Sequence, residues 1–357
     1  PARTAQQVVW HPSGAEKLTP AEPPGNEAAG VWLGPDMADV RGQLVARRAL
    51  EVAACGGHNL VFVGSPGSGK SMLAKRLPGI LPPLTYEEAV ETSAVYSVAG
   101  LVPNGKGLVR TRPFRSPHHS VSATAIAGGG SVPRPGEVSL AHNGVLFLDE
   151  LPEFSREALE VLRQPLEDGI VTVSRVHGSA TYPCKFMLVA AMNPCKCGYL
   201  GHPTRPGSCT PSAVDQYLRR ISGPLMDRID LHVHVEPVAY GDLAQAADGE
   251  SSAAIRARVA AVRKLQRERY KALPRVYCNA QLPGTRLRQF CPMTPAAEAV
   301  LRAAFERMGL SARAYDRILR VSRTVADMDG SEVLDSRHIA EAVQYRSLDR
   351  RFTPVSL

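Results

Sequence analysis

One short stretch constrains the fold of this chain more than any other. Residues 64–71 read Gly-Ser-Pro-Gly-Ser-Gly-Lys-Ser, a full match to the phosphate-binding pattern G-x-x-x-x-G-K-[ST]. A short apolar run, 59–63, precedes the match, and a run of helical character, 72–77, follows it. A strand, a glycine-rich loop and a helix in this order form the context in which the pattern binds phosphate. The stretch therefore predicts a nucleotide-binding α/β domain rather than an ordinary turn.

The chemistry of a triphosphate assigns roles within this loop. Lys70 would reach the β- and γ-phosphates, and the Ser71 hydroxyl would ligate Mg²⁺. Glycines allow backbone N–H groups to crowd around phosphate oxygens. The other residues predicted to contact the nucleotide are Gly64, Ser65, Pro66, Gly67, Ser68 and Gly69. ATP and Mg²⁺ are therefore the expected cofactors.

A second stretch supplies two acidic side chains. The apolar run 145–148 leads directly into Asp149 and Glu150. Such a run predicts a buried parallel strand that delivers carboxylates at its carboxyl end. Asp149 would hold the Mg²⁺, and Glu150 would polarise the attacking water. Alone, the stretch also fits a core strand followed by a solvated acidic turn, but with the phosphate loop it predicts hydrolysis.

A third apolar run, 186–192, is also expected to be a buried strand, and it ends at Asn193. If this strand lies beside the strand of the phosphate loop, Asn193 can hold the lytic water or sense the γ-phosphate.

Composition limits the class of protein. The 357 residues suffice for two domains, and the net charge of +8 favours a polyanionic partner, although nucleotide phosphate accounts for part of it. Seven cysteines, an odd number, indicate a reducing cytoplasm. The sequence has no apolar run of about 18 residues and no secretory signal, so we expect a cytoplasmic protein with no membrane partner. Because residue 1 is Pro, we expect a fragment or a processed form.

The pattern of residues divides the chain into three parts. Residues 1–30 hold five prolines and few large apolar residues, which predicts a linker or tail. Residues 31–237 alternate strands with helices, which predicts a parallel sheet sandwiched by helices. Residues 238–357 read as helices alone and predict a small C-terminal lid. The predicted longer helices are 155–168, 255–270, 295–308, 313–327 and 336–346.

Two features interrupt the predicted core. Residues 97–138 are rich in glycine and proline and predict a loop-rich insert, while 170–182 predicts a β-hairpin with Arg175 and His177 near its turn. The insert carries a basic cluster: Arg110, Arg112, Arg115, His118 and His119. Either feature could be a solvated surface or a surface that contacts DNA or a neighbouring subunit.

These landmarks together resemble the AAA+ P-loop ATPases, and more narrowly the magnesium-chelatase-like group. Three stretches carry the narrower resemblance: Pro-Phe-Arg-Ser-Pro-His-His at 113–119, the run 135–144 that leads into the acidic strand, and Gly-Pro-Leu-Met-Asp-Arg-Ile-Asp at 223–230. They are similar to the bacterial ComM/YifB type within that group. The resemblance covers about residues 35–350.

The resemblance implies further site residues. Asn193 matches a sensor-1 asparagine, and Arg228 matches an arginine finger that reaches the γ-phosphate bound by the neighbouring subunit. Arg313 matches the sensor-2 arginine of the lid. The alternatives remain open: Arg228 could be an ion-pair partner of Asp227 or Asp230, and Arg313 a helix surface charge.

The insert and the hairpin match the helix-2 insert and the pre-sensor-1 hairpin of this group. In the related MCM helicases these elements face a central pore and grip DNA, which makes Arg115, Arg175 and His177 candidate DNA contacts. Solvated decoration of the hairpin is the alternative for Arg175 and His177.

A cysteine-bearing loop follows Asn193. Tetrahedral zinc needs four Cys or His ligands, and the candidates are Cys195, Cys197, His202 and Cys209. Relatives tend to carry two C-x-C pairs here, but this chain has Gly207 in place of one cysteine. A site with fewer ligands, or plain reduced thiols, is the alternative.

The resemblance implies a homo-oligomeric ring, expected to be hexameric, that moves single-stranded or branched DNA independently of sequence. For the ComM type the implied task is branch migration in natural transformation and recombination. One rival is a magnesium-chelatase motor subunit that drives Mg²⁺ insertion into a porphyrin. The other is a non-enzymatic ATP-gated scaffold, against which the intact Asp149, Glu150 and Arg228 argue.

Overall fold

The structure is a computed structural model. It describes residues 5–14, 17, 32–102, 107–175, 178–238, 241 and 249–346. His177, much of the predicted linker 1–30 and the last part of the predicted lid, 347–357, lie outside the described residues. Within the predicted linker the chain forms helix α1, Ala5–Ser13. The sequence analysis missed this helix, which contains Pro12 in its last turn.

The centre of the molecule is a five-stranded parallel sheet, as the sequence predicts. Its strands are β1 (Leu60–Val63), β2 (Phe114–Arg115), β5 (Val145–Leu148), β8 (Met187–Met192) and β9 (Leu231–His234), and they lie in the order β2-β5-β8-β1-β9. Every residue of β1, β5 and β8 is buried. Continuous burial is typical of a parallel sheet that is covered on both faces.

Alternate residues of each strand pack into different layers. Leu60 and Phe62 join one hydrophobic cluster, whereas Val61 and Val63 join another on the opposite face of the sheet. The first face is covered by α2 (Leu44–Gly56), α3 (Lys70–Ala74) and α4 (Leu77–Ile80), together with the C-terminal helices. The second is covered by α6 (Ala123–Ala127), α7 (Glu137–Leu140), α8 (Arg156–Glu160), α9 (Arg163–Asp168), α10 (Pro211–Leu218) and α11 (Gly223–Met226). The predicted sandwich is confirmed.

The helix predicted over 155–168 is wrong in one respect, because the structure has two short helices there, α8 and α9. Pro165 lacks the N–H that would donate to the carbonyl of Val161, four residues earlier. The helix is therefore interrupted after Glu160 and resumes at Arg163.

Helix α5 (Tyr86–Val98) leads into the insert. The insert itself contains β2, α6 and a small antiparallel ribbon of β3 (Gly128–Gly129) and β4 (Arg134–Pro135). The predicted hairpin is confirmed as β6 (Ile170–Arg175) paired with β7 (Gly178–Pro183). Three hairpin side chains are buried on the second face of the sheet: Val171, Val173 and Tyr182. The Tyr182 hydroxyl donates to Pro133 O at 2.9 Å, which ties the hairpin to the insert.

The C-terminal region is helical, as predicted. It contains α12 (Ser252–Tyr270), α13 (Leu287–Phe290), α14 (Pro295–Met308), α15 (Ala312–Met328) and α16 (Ser336–Gln344). Serine, threonine or aspartate accepts a backbone hydrogen bond at the start of four of them, at Ser251, Thr294, Ser311 and Asp335. The helices share the first hydrophobic cluster with α2. None of the described helices is long and apolar enough to cross a membrane.

Candidate ATP site at the sheet edge

The loop between β1 and α3 holds its lysine inward. Lys70 Nζ donates at 2.8 Å to the carbonyl oxygens of both Gly64 and Ser65, and lies 3.3 Å from Asn193 Oδ1. Burial lowers the pKa of Lys70, while the carboxylates of Asp149 and Glu150 oppose that shift. A positive charge is thus positioned within the loop, beside the predicted sensor asparagine.

Three glycines give the loop its shape. Gly67 and Gly69 have φ of 77° and 93°, in the left-handed region that other residues rarely adopt. At Gly64, a Cβ atom would lie 2.2 Å from the carbonyl oxygen of Val235, so no larger residue fits without a backbone shift. The glycines of the pattern are therefore required by the backbone itself.

The predicted metal ligands lie next to each other. Ser71 Oγ donates to Asp149 Oδ2 at 2.6 Å, and the backbone N–H of Glu150 donates to Asp149 Oδ1 at 3.0 Å. Mg²⁺ takes oxygen ligands and commonly binds through one or two protein oxygens together with substrate phosphates. The hydroxyl and carboxylate oxygens at the end of β5 fit that ion.

Glu150 occupies an unusual backbone conformation. Its φ of 54° and ψ of 47° place a non-glycine residue in the left-handed region, a costly conformation that clusters at functional sites. Its side chain is 56% exposed, and its Oε2 lies 3.2 Å from His119 Nδ1. The carboxylate can therefore reach water. His119 belongs to the basic cluster of the insert, and residue type gives no signal for this contact, because 31 residues separate it from Glu150.

Sequence reasoning also missed Gln43. Its amide Nε2 donates to Ser68 O at 3.2 Å and to Glu236 O at 2.6 Å, so it ties the phosphate loop to the segment after β9. Gln43 precedes α2 and has a φ of 56°. No motif marks this residue, and only the fold brings it to the loop.

Arg228 lies where the parallel strands begin, which we call the amino edge of the sheet. The phosphate loop lies where the strands end, at the carboxyl edge. The backbone carbonyl of Arg228 accepts from Asn59 Nδ2 at 3.0 Å, just before β1 begins, whereas the phosphate loop follows the end of β1. Four strand residues separate these ends, a length of about 13 Å. The guanidinium pairs with Glu167 on α9, so neither Asp227 nor Asp230, the partners considered from the sequence, holds it.

Two arginines of α15, Arg313 and Arg317, lie near Arg228. Arg313 Nη1 lies 3.5 Å from Asp227 Oδ2, and 66% of its side chain is exposed. Arg317, one turn later, pairs with the buried Asp230. Burial is the main cause that lowers the pKa of Arg228, and the charges of Arg163, Arg313 and Arg317 lower it further. Positive charge is therefore concentrated at this edge.

This edge opens into a cleft of about 820 Å³ between the sheet and the C-terminal helices. The arginines that line it are Arg112, Arg228, Arg263, Arg267, Arg275, Arg313, Arg317 and Arg320. We call this cleft the arginine cleft. Acidic side chains also line the cleft, and three of them, Glu88, Glu167 and Asp230, pair with arginines of this set. The basic side chains outnumber the acidic ones, so the cleft suits a phosphate group.

The structure describes two of the three candidate DNA contacts, and they differ in their surroundings. Arg175 lies exposed near the hairpin turn and donates to Ser174 O at 2.9 Å. Arg115 instead donates two hydrogen bonds, each 2.7 Å long, to the carboxylate of Glu137. Such a fork-shaped pair fixes the side chain within the insert. His177 lies outside the described residues.

Three of the four candidate zinc ligands come together. The sulfur atoms of Cys195, Cys197 and Cys209 all lie within 4.8 Å of one another. His202 does not join this group. Its Nδ1 instead accepts N–H groups of its own loop, from Thr204 at 3.2 Å and Arg205 at 3.0 Å. The predicted four-ligand set is therefore not assembled, although the three thiols alone suit a thiophilic metal.

The sequence matches the family described as magnesium chelatase, subunit ChlI, over residues 36–243, and its C-terminal domain over residues 249–346. The chain belongs to the magnesium chelatase ChlI family. The five-stranded parallel sheet and the helical C-terminal region are the AAA+ architecture that the sequence predicts. The family assignment also agrees with an ATPase-type phosphate loop.

Relatives narrow the assignment. The chain is 47% identical over 330 residues to the uncharacterized protein YifB of Escherichia coli, covering 92% of this chain and 63% of YifB. It is 45% identical over 362 residues to the competence protein ComM of Haemophilus influenzae, covering 99% and 69%. A 67 kDa magnesium-chelatase subunit of Chlorobaculum tepidum is 30% identical over 162 residues, covering 44% and 23%. The chain is thus of the ComM/YifB type and spans about three fifths of the length of YifB.

Proposed function

We propose that this chain is an ATPase that works in a ring of identical subunits and moves DNA, in the cytoplasm. One observation carries the proposal: the phosphate loop and Arg228 lie at opposite edges of one sheet, where each could supply half of a shared site. Lys70 lies at the carboxyl edge and Arg228 at the amino edge, separated by the length of β1. A repeated head-to-tail contact would bring the two halves together, and such a contact forms a ring when its rotation closes. We propose six subunits.

The carboxyl edge would bind and activate ATP. Lys70 would leave its two carbonyl acceptors for the β- and γ-phosphates, a stronger acceptor for a charged donor. Mg²⁺, held by Ser71 and Asp149, would neutralise charge on the phosphates. Glu150 would take a proton from the attacking water, which Asn193 would orient.

The neighbouring subunit would complete the site. Arg228 would donate to the γ-phosphate and stabilise the negative charge that develops during transfer. Arg313 would act beside it, because its side chain is exposed and 3.5 Å from Asp227, the residue before Arg228. Hydrolysis then removes the group that the two arginines hold, and the contact between subunits relaxes.

DNA is the substrate that the charge and the hairpin favour. The net charge is +8, and Arg175 stands exposed near the hairpin turn. Contacts from such residues to phosphates would bind DNA without regard to sequence and would weaken with salt. Arg115, fixed by Glu137, would support the insert beside the DNA. Likeness to the competence protein ComM favours branch migration during transformation as the task.

A magnesium-chelatase motor is the second candidate, favoured by the family match and by the Chlorobaculum relative. Both functions would use the same ATP site. They differ in what stimulates turnover: DNA for the first, and a porphyrin-binding partner for the second.

We also propose that Cys195, Cys197 and Cys209 bind zinc, with the fourth ligand supplied by water or by another group. The purified chain should then contain about one zinc per subunit by elemental analysis, and Cys209→Ser should lose it. Cys55→Ser, a change at a buried cysteine in α2, is the control. If the wild-type chain contains no zinc, the three cysteines are reduced thiols and the zinc proposal is wrong.

The function is tested by ATP turnover with and without branched DNA, and by migration of a four-way junction. DNA should raise turnover, and ATP should drive migration. Arg228→Ala should abolish turnover and leave nucleotide affinity of the single subunit unchanged. If DNA does not change the rate of ATP turnover and the junction does not migrate, the proposal is contradicted.

A further inference from the structure

The guanidinium of Arg228 is a nearly buried cation of the arginine cleft. Only 7% of the residue is exposed, and its terminal nitrogens donate to Pro224 O and to Glu167 Oε1. Its Nε is buried and has no hydrogen-bond partner among the described residues. Burial of a charged group is unfavourable unless an opposite charge compensates for it. Glu167 supplies that charge.

The surroundings make an anion at this place necessary. Arg163, Arg313 and Arg317 all repel Arg228, and Glu160 offsets them only in part. The carboxylate of Glu167 is therefore the anion that allows Arg228 to stay buried among three other arginines. A γ-phosphate of a neighbouring subunit would need the same guanidinium.

We propose that Glu167 is a positioning residue that occupies Arg228 until the γ-phosphate bound by the neighbouring subunit displaces it. This inference rests on the proposed function. A triphosphate offers several charged oxygens in place of one carboxylate, so it competes effectively for the guanidinium. The displaced carboxylate has water available, because 55% of the Glu167 side chain is already exposed.

The displacement has a direct route to the hairpin. Glu167 lies in the last turn of α9, which ends at Asp168, and the hairpin begins two residues later at Ile170. Between them, Gly169 has a φ of 66° and its carbonyl accepts from Cys184 N at 2.9 Å, which closes the base of the hairpin. The hairpin is packed against α9 at this base. Glu167 would thus link the nucleotide state of one subunit to the hairpin of the next.

Glu167→Gln tests the link, because glutamine keeps the shape of the side chain and removes its charge. The variant should hydrolyse ATP without DNA about fivefold faster than wild type, as expected for the loss of a modest coupling energy. The ratio of turnover with DNA to turnover without it should fall by a similar factor. It should also form rings at a lower concentration of the slowly hydrolysed analogue ATPγS, which sedimentation velocity measures.

Glu157→Gln is the matched control. Glu157 is an exposed acid on the preceding helix, α8, and has no hydrogen bond to Arg228 among the described contacts. Its loss should leave both the DNA ratio and ring assembly close to wild type, and thermal unfolding checks that both variants fold. If wild type responds to ATP and DNA but Glu167→Gln matches Glu157→Gln, the inference is overturned and the proposed function stands. If wild type neither assembles nor hydrolyses ATP, both fall.

Discussion

The two edges of the central sheet hold a cation in opposite ways. At the carboxyl edge, neutral backbone carbonyls five and six residues away hold Lys70. At the amino edge, a charged carboxylate 61 residues away holds Arg228. Neutral acceptors are readily exchanged for phosphate, whereas a carboxylate must be displaced. A phosphate ligand could thus replace the acceptors of Lys70 readily, whereas at the second edge it would first have to break an ion pair.

At the carboxyl edge, the largest loss of ATP turnover is expected from Glu150→Gln. Loss of the general base should lower turnover by about 10²–10⁴-fold. ATP affinity should stay close to wild type, because Glu150 is predicted to contact water rather than phosphate. Steady-state turnover and binding of a fluorescent nucleotide check both. Glu153→Gln, which removes an exposed partner of Arg220, is the control, and an equal loss there would contradict the assignment.

Lys70→Ala should lower turnover by about 10²–10³-fold, because one charged contact to the transferred group is lost. In contrast to Glu150→Gln, it should also weaken nucleotide binding. Lys75→Ala, an exposed lysine just after α3, gives the matched control in the same two assays. Unchanged affinity in Lys70→Ala would show that the lysine does not reach the phosphates.

At the amino edge, removal of a charged side chain should mainly lower the free energy of unfolding. Asp230 is 2% exposed and pairs with Arg317 and His58. Burial alone would raise its pKa, but these two partners hold the pKa of Asp230 well below its usual value. Asp230→Asn should lower the free energy of unfolding at pH 7 by about 3–5 kcal/mol, because it leaves a buried cation unpaired. Urea titrations measure the loss.

The pH dependence follows from the sign of that shift. An unfolded aspartate titrates near pH 3.9, so the contribution of Asp230 is fully present above about pH 4. It is lost progressively as pH falls from there toward the lower pKa of the folded state. The difference between wild type and Asp230→Asn should therefore shrink below about pH 4. Asp227→Asn, at a partly exposed neighbour, should show little of either effect.

The smallest expected effect concerns the hairpin, which in the proposed cycle links the nucleotide held between the two edges to DNA. Arg175→Ala should weaken DNA binding a few-fold and lower the slope of log affinity against log salt by about one. Fluorescence anisotropy at several salt concentrations checks this. Arg219→Ala, at an exposed residue after α10, should leave both quantities unchanged. A greater loss of DNA affinity in Arg219→Ala than in Arg175→Ala would indicate that the DNA-binding surface lies away from the hairpin.

The sequence was sufficient where the geometry depends on residues close together in the chain. The loop 64–71 and the strand that leads into Asp149 carry their own geometry: glycine φ values shape the loop, and strand direction brings Asp149 to Ser71. The parallel sheet and the C-terminal helices follow from apolar periodicity in the same way.

The sequence was insufficient where a partner comes from elsewhere in the fold. Glu167 meets Arg228, and His119 meets Glu150, through the arrangement of whole elements rather than through spacing. His202 shows the reverse case, because its position in the chain suits a metal ligand but its Nδ1 accepts nearby N–H groups instead. Local competition of this kind has no signature in residue type.

The central claim is that each active site is shared between two subunits, and mixing two inactive variants tests it most directly. Lys70→Ala lacks one half-site and Arg228→Ala lacks the other. In a randomly mixed ring, about one contact in four joins an intact phosphate loop to an intact arginine. ATP turnover should therefore reappear on mixing, while each variant alone stays inactive. If the mixture remains as inactive as its components although it forms rings, the shared site is contradicted.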